Sequence, residues 1–215
     1  MIDNNKTSDM KNNKVVQAIA FAVAFVIAFI LIRVVLNRND NNSESETVST
    51  EQQAEPYTSK PDNFTANFGG YPTFKSQNLD VGGKPVNVVY YENSTDDGNK
   101  ITSLSVANYS AREFDFTADA KQRKALEDAV AGAAKKSGSE VVSTDNEEKF
   151  LGNNAIRAEL LAKKDGKEAK IYSLYFLKEV PKSEESTAKT VMYTLTTINQ
   201  DKAVFDKFVD SFKLN

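Results

Sequence analysis

The sequence predicts an α+β fold: a three-layer α/β/α sandwich on a mostly antiparallel sheet, preceded by one transmembrane helix. Turn signals of the hairpin type separate consecutive strand-like runs, and hairpins join antiparallel strands. One strand-like run is apolar on both alternating faces, and two amphipathic helical patterns are available to cover the two faces of a sheet. An uncharged apolar run, residues 15–32, precedes all of these patterns.

The composition excludes several classes of function. The 215 residues are 40% hydrophobic and 27% charged, with a net charge of −3. The absence of Cys excludes disulfides, thiolate catalysis and Cys-ligated metals, and the absence of His excludes Ser-His-Asp and Cys-His catalysis and most catalytic zinc sites. Neither the first sixty residues nor the remainder is basic enough to indicate a nucleic-acid partner.

The apolar run near the N-terminus predicts a membrane anchor. Val15–Ile32 carries no charge, and continuing past Arg33 to Leu36 gives about 22 residues, or roughly 33 Å of helix, which spans a bilayer core. The run is long for a signal peptide, and no small-residue cleavage site follows it. We therefore predict a short polar tail at residues 1–14 and a transmembrane anchor at residues 15–36.

Charges beside the anchor predict its orientation. Lys6, Lys11 and Lys14 precede the span together with the amino terminus, whereas Arg33 and Arg38 follow it. The positive-inside rule places the N-terminus in the cytoplasm and the remainder of the chain outside the cytoplasm, in a single pass through the cell membrane.

Small residues recur along the anchor. Ala20, Ala24 and Ala28 are spaced by four, which allows two membrane helices to approach closely and predicts a homodimer through this face. The alternative is that alanine is simply common in membrane spans.

A polar segment, residues 37–60, separates the anchor from the rest of the chain. Val48 is its only aliphatic residue apart from alanine, so it cannot bury enough surface to offset the entropy of ordering. We interpret it as a flexible linker, and residues 61–215 as the folded domain.

The first half of this domain reads as four strands and a helix. Gly82-Gly83 signals a two-residue hairpin and Asn93–Asn99 a longer turn. Asp119 is the candidate N-cap of the helix, and Gly138 is suited to follow its last turn. The predicted elements are strands Phe64–Phe68, Thr73–Val81, Val86–Glu92 and Ile101–Tyr109, and a helix Asp119–Lys136 with Leu126, Ala129, Val130 and Ala133 on one apolar stripe.

The second half reads as four further strands and a closing helix. Asp165-Gly166 predicts a hairpin turn, and Asn199 or Asp201 can cap the last helix. The strands are Glu140–Ser143, Ala155–Ala162, Glu168–Val180 and Thr190–Ile198. The helix is Asp201–Phe212, with Phe205, Phe208, Val209 and Phe212 at helical spacing. In the long third strand of this half, Tyr172, Leu174 and Phe176 alternate with Ile171, Tyr175 and Leu177, so both faces are apolar.

Several of these residues resemble a known family. The matching residues are Phe64-x-x-x-Phe68-Gly69-Gly70-Tyr71-Pro72, Val81-Gly82-Gly83, Val86-x-Val88-x-Tyr90, Leu126-x-x-Ala129-Val130 and Phe205-x-x-Phe208-x-x-Ser211-Phe212-Lys213-Leu214. From about Asn63 to Leu214 the chain resembles PsbP-like domains, although relatives typically have Pro where this chain has Gly69.

The resemblance implies binding work without catalysis. Members of the family include an extrinsic subunit of photosystem II, a Ran-GTPase-binding import factor of the same fold, and tethered bacterial proteins. The resemblance transfers no set of functional residues.

The sequence contains no complete motif for a metal site or a catalytic site. Asn93-x-Thr95-x-Asp97-Gly98 resembles the start of a calcium loop, but Leu104 stands where the bidentate Glu belongs, so we interpret the segment as a hairpin turn. Asp145, Glu147 and Glu148 form an acidic group that we interpret as a solvated connection. We predict no catalytic residues, no metal and no cofactor.

The best candidate site is aromatic. The loop from Phe68 to Tyr71, together with Tyr57, can form a partner surface; the alternative is that Phe68 packs in the core and Tyr71 lies in a turn. The predicted function is a binding or assembly-support domain, held outside the cytoplasm, whose partner is another membrane or envelope protein. The alternative is a membrane-tethered hydrolase that uses carboxylates or Ser.

Overall fold

The structure describes the folded domain and little of the chain before it. The computed structural model describes residues 55–81, 83–146, 148–164, 166–183 and 187–215. Among these residues, no helix is long and apolar enough to cross a membrane. The predicted anchor at 15–36, its Ala20, Ala24 and Ala28 face, and the linker up to residue 54 lie outside the described residues.

Strands account for most of the described residues. The strands are β1 (Tyr57–Ser59), β2 (Phe64–Ala66), β3 (Thr73–Asp80), β4 (Pro85–Thr95), β5 (Lys100–Ser110), β6 (Ser139–Asp145), β7 (Lys149–Phe150), β8 (Asn153–Lys164), β9 (Lys167–Val180), β10 (Lys189–Ile198) and β11 (Lys213–Leu214). The helices are α1 (Asp119–Ser137) and α2 (Lys202–Ser211). This confirms the prediction of a mostly antiparallel sheet with two helices.

The main sheet has the strand order β3-β4-β5-β10-β9-β8-β6, and β7 pairs with β8 beside it. Its pairings are antiparallel, as the hairpin signals predicted. At its centre Leu104, Leu195 and Leu174 stand side by side on β5, β10 and β9. A separate small sheet, in the order β1-β2-β11, joins the start of the domain to its end.

Each face of the main sheet has its own core. On one face α1 packs over β6, β8 and β9 and buries Leu126, Ala129, Val130 and Ala133, the stripe that the sequence predicted. Phe114 and Phe116, in the segment before α1, extend this cover by packing against Tyr109 with ring centroids 5.1 and 5.5 Å away.

On the other face α2 and the small sheet share the cover. Phe205, Phe208 and Val209 of α2 are buried against Leu174, Phe176 and Leu195 of the main sheet. Phe212 follows the helix and stacks on Phe64 of β2, with ring centroids 5.9 Å apart. The α2 face therefore depends on contacts between the two ends of the domain.

Three short strands were not predicted. β1 lies in residues that the sequence analysis assigned to the linker, and β7 and β11 have two residues each. Such short strands carry no periodicity of their own, and they form because longer elements place a partner beside them.

The first predicted hairpin is present, whereas the predicted cap of α1 was wrong. Asp80 pairs with Pro85, and inside this pair the backbone N–H of Val81 donates to the carbonyl of Lys84 at 2.8 Å, which closes the hairpin over the two residues that the sequence predicted. Ala118, not Asp119, is the N-cap residue of α1, because the Asp119 carboxylate instead accepts a hydrogen bond from Asn154 on β8 at 2.9 Å.

Other local predictions were confirmed. Lys164 pairs with Lys167 across the two-residue loop that holds Gly166. Gly138 follows α1 in the left-handed conformation, with φ of 64°. Asp201 is the N-cap residue of α2, although its side chain makes no capping hydrogen bond.

The packing of α2 on the sheet allows the effect of a substitution on the free energy of unfolding to be predicted. Replacing Phe208, which is 3% exposed, by Ala should lower the free energy of unfolding of residues 55–215 by about 3–5 kcal/mol, because the change removes a ring from a close-packed core. Chemical denaturation followed by circular dichroism measures this change.

Val204 provides the matched control on the same helix. It is 40% exposed, so Val204→Ala should change the free energy of unfolding by less than about 1 kcal/mol. Equal effects of the two substitutions would mean that α2 is not docked on the sheet.

Candidate interaction surface

Three aromatic side chains near β1 and β3 are linked by ring contacts, directly or through Tyr91. Tyr57 of β1 lies edge-on to Tyr71, with ring centroids 5.3 Å apart, and both lie near the same edge of the main sheet. Phe74 on β3 joins them through Tyr91, whose ring centroid lies 6.0 Å from that of Phe74 and 5.6 Å from that of Tyr57. We call Tyr57, Tyr71 and Phe74 the aromatic surface.

The aromatic surface is open to solvent. Tyr71 is 84% exposed and Phe74 is 65% exposed, and both belong to the large apolar side chains that the fold leaves uncovered. Single exposed apolar residues are normal on proteins, but an exposed cluster of rings beside each other is typical of a binding site. Tyr and Phe are also among the residues that interfaces favour.

Phe68 is not part of this exposed surface. Its side chain is 2% exposed, in contact with the rings of Tyr57, Phe64 and Phe208. The sequence analysis grouped Phe68 with Tyr71 as a candidate partner surface, and the structure separates them. Phe68 is buried because the segment after β2 packs it against Phe208 of α2, whereas Tyr71, three residues later, is exposed.

Hydrogen bonds hold β1 against the sheet beneath the aromatic surface. Ser59 Oγ lies 2.8 Å from the hydroxyl of Tyr91, and that hydroxyl donates to the carboxylate of Asp62. The hydroxyl of Tyr193 donates to the backbone carbonyl of Asp62 at 3.1 Å. These bonds join the first segment of the domain to β4 and β10, so Tyr57 has a fixed place.

The tyrosine hydroxyls around Asp62 remain protonated. Burial, followed by the hydrogen bond to the Asp62 carboxylate, raises the pKa of Tyr91. Burial, followed by the charge of Asp62, raises the pKa of Tyr193 to about 12. The pKa of Tyr57 is raised as well, by burial first and then by Tyr71 and Asp62. Tyr57, Tyr91 and Tyr193 therefore keep their hydroxyl protons at physiological pH.

One of the acidic residues that the sequence singled out, Glu148, has a structural role. Glu148 receives two hydrogen bonds from Arg157, both 2.9 Å long, and Asp206 of α2 receives a third at 3.1 Å. The hydrogen bonding of Arg157 to the Glu148 carboxylate is the main reason why the pKa of Arg157 is raised. The interpretation of Glu148 as a solvated residue was wrong, because the Arg157 guanidinium binds it and joins it to α2.

The segment that resembles a calcium loop forms a hairpin turn. Thr95 pairs with Lys100, and the backbone N–H of Asn99 donates to the carbonyl of Asp96 at 2.9 Å. The side chain of Asn93 donates to the carbonyl of Phe68. Within the described residues, no group of three or more carboxylates is placed to hold a metal ion; Glu147 of the acidic group lies outside them.

The sequence analysis missed Phe74. Its position in a strand with alternating polar neighbours gave no indication of its exposure, because the exposure follows from the place of β3 at the edge of the sheet. No family model matches the chain, and no curated protein sequence matches it.

The raised pKa of Tyr193 predicts how the free energy of unfolding changes at alkaline pH. In the folded state this group keeps its proton up to a pKa of about 12, above its ordinary value of 10.0. Between these values the unfolded chain binds fewer protons than the folded one, so the free energy of unfolding must fall as the pH rises. Tyr193→Phe should make this fall shallower, as measured by chemical denaturation at a series of alkaline pH values.

Val204→Ala is the control for this experiment, because it changes an exposed side chain and removes no titrating group. Its pH dependence should match that of the unsubstituted chain. An unchanged slope for Tyr193→Phe would contradict the buried position of this hydroxyl.

Proposed function

We propose that this chain is a single-pass membrane protein that presents a non-catalytic binding domain outside the cytoplasm and docks another membrane or envelope protein on its aromatic surface. The anchor rests on the uncharged run Val15–Ile32, and the orientation on the positive charges that precede it. The binding activity rests on the exposure of Tyr71 and Phe74, two rings that are linked to each other through Tyr57 and Tyr91.

The edge strand next to these rings supports the same proposal. β3 pairs with β4 in an unbroken register from Thr73↔Glu92 to Asp80↔Pro85, and it ends the strand order of the described sheet. Its outer backbone groups are therefore available to an added strand. An extended segment of the partner can pair with β3 while its apolar side chains contact Phe74 and Tyr71.

The opposite edge of the sheet differs. The register of β6 with β8 shifts between Val141 and Ser143, which is the irregularity that proteins use to discourage strand addition. The regular edge strand and the exposed aromatic cluster thus occur together, at β3.

The absence of catalysis is part of the proposal. The chain has no His or Cys, and Glu148 and Asp206 are both bound to Arg157. The tyrosines around Asp62 are held in their protonated form. These features favour a binding domain over the alternative hydrolase.

We also propose kinship with PsbP-like domains. The aromatic residues that carry this resemblance, Phe64, Phe68, Phe205, Phe208 and Phe212, all lie in the core on the α2 face. These residues therefore support a similar fold and give no information about the partner. The partner must be identified by experiment.

Fractionation of cells tests the anchor and its orientation. The full chain should sediment with membranes and resist carbonate extraction, and protease added outside cells with an accessible membrane should release the folded domain. Recovery of a mature chain that begins near Asn37 would identify a cleaved signal instead, and full protection from protease would place the domain in the cytoplasm.

Site-specific photo-crosslinking tests the surface. A benzoylphenylalanine residue at position 71 or 74 of the full chain should crosslink to another membrane or envelope protein in cells, and Tyr71→Ala/Phe74→Ala should abolish co-purification of that protein. Because both side chains are mostly exposed, the double substitution should leave the free energy of unfolding within about 1 kcal/mol of its original value.

Val142 is the matched control position. It is an apolar residue, 52% exposed, on the opposite edge strand β6. Crosslinking to the same protein with equal yield from position 142 would contradict a specific role for the aromatic surface.

A further inference from the structure

A pocket lined by both polar and apolar side chains lies beside the loop that leads to Tyr71. It has a volume of about 270 Å³ and lies between this loop, the end of the β4–β5 hairpin and one side of α2. Its volume is slightly below the roughly 300–1,000 Å³ of typical ligand sites, so it suits a small ligand. The aromatic surface contributes none of its own residues to this pocket.

The chain builds the wall of the pocket through a close backbone approach. A Cβ atom on Gly70 would lie 2.9 Å from Nδ2 of Asn93, closer than real side chains come. Gly69 has φ of 74°, a conformation that glycine adopts without strain. This close approach lets Asn93 donate to the Phe68 carbonyl at 3.0 Å and so fixes the amide at the pocket.

The charged groups at the pocket have one sign. Lys100 of β5 and Lys207 of α2 both line it, and no carboxylate does; Asp96, Asp97 and Asp201 lie near in sequence but outside the lining. In the part of the chain that the structure describes, neither lysine has a hydrogen bond or an ion pair. Two unpaired ammonium groups at one pocket favour an anion that carries more than one negative charge.

The amide groups add hydrogen-bond acceptors. The side-chain nitrogen of Gln200 donates to the Ile101 carbonyl at 2.7 Å and to the Thr102 hydroxyl at 2.9 Å. Within the described residues the side-chain oxygens of Gln200 and Asn93 accept no hydrogen bond, so both are free to accept from ligand hydroxyls.

The remaining surface of the pocket is apolar. The rings of Phe68 and Phe208 lie 5.2 Å apart and contribute to it, together with Val204. Carbon-bound hydrogens of a small ligand can pack against this surface while its polar groups reach the lysines and amides.

We propose that this pocket binds a small hydroxylated anion: a polyol or sugar that carries a phosphate group. A phosphate monoester carries about −1.5 to −2 charges at neutral pH, which matches the two ammonium groups. Hydroxyl groups supply the donors that the free oxygens of Asn93 and Gln200 require. This site is separate from the proposed protein-binding surface, and the proposal does not depend on the proposed function.

Isothermal titration of the full chain in non-ionic detergent with glycerol 3-phosphate tests the proposal. Saturable binding is expected, weakened about tenfold or more in Lys100→Ala/Lys207→Ala because two charge-assisted contacts are lost. Raising the salt concentration should weaken binding because the pocket is open to solvent. Glycerol, which lacks the phosphate, should not bind detectably, and inorganic phosphate should bind more weakly than the ester.

Lys60→Ala/Lys182→Ala is the matched control, since it removes the same charge from exposed positions outside the pocket. Its affinity should equal that of the unsubstituted chain. The absence of saturable binding, or equal weakening by the two double substitutions, would overturn the proposal.

A short-chain lysophosphatidic acid, the acyl ester of glycerol 3-phosphate that keeps the phosphate monoester and one hydroxyl group, is added below its micelle-forming concentration to distinguish two sources of the same chemistry. Tighter binding than glycerol 3-phosphate would identify a lipid head group as the natural ligand. Equal or weaker binding that still depends on Lys100 and Lys207 would identify a soluble polyol phosphate. Binding of the lipid that ignores both lysines would overturn the proposal.

Discussion

The fold depends on a sheet that is apolar on both faces. Along β9, Leu174 and Phe176 point to one side, and Ile171, Tyr175 and Leu177 point to the other. Neither side can be left to water, because each buried side chain of this size contributes roughly 1.5–3 kcal/mol. The helix α1 covers one side, whereas the other needs both α2 and the small sheet. The loop that ends in Tyr71 and the pocket beside it are parts of that second cover.

Much of the fold could be predicted because its signals are local. Alternation along β9, the apolar stripe of α1 and the Asp-Gly turn each lie within a few residues, and each has one dominant physical reading. The strand β11 could not be predicted, since Leu214 forms a strand only because Phe64 lies opposite it, 150 residues earlier. Asp119 had the residue type of a cap, but Asn154 competes for its carboxylate.

The candidate sites were harder to predict for the same reason. Tyr71 could be named as a surface residue from its place in a Gly-Gly-Tyr-Pro turn, but the exposure of Phe74 follows from sheet order. Lys100 and Lys207 are more than 100 residues apart, and no spacing rule joins them. Phe68 shows the opposite case: its residue type suits both a core and a binding surface, and only its packing against Phe208 of α2 places it in the core.

The small sheet also determines how the domain responds to a mechanical pull. A force exerted through the residues before Glu55 enters the fold at β1, a strand of three residues, rather than at the long strands of the main sheet. β1 can unzip from β2 one residue pair at a time, and its detachment leaves the β2–β11 pairs intact. Tyr57 would leave with β1. Tension along the chain would therefore dismantle the aromatic cluster before it disturbed the sheet beneath it.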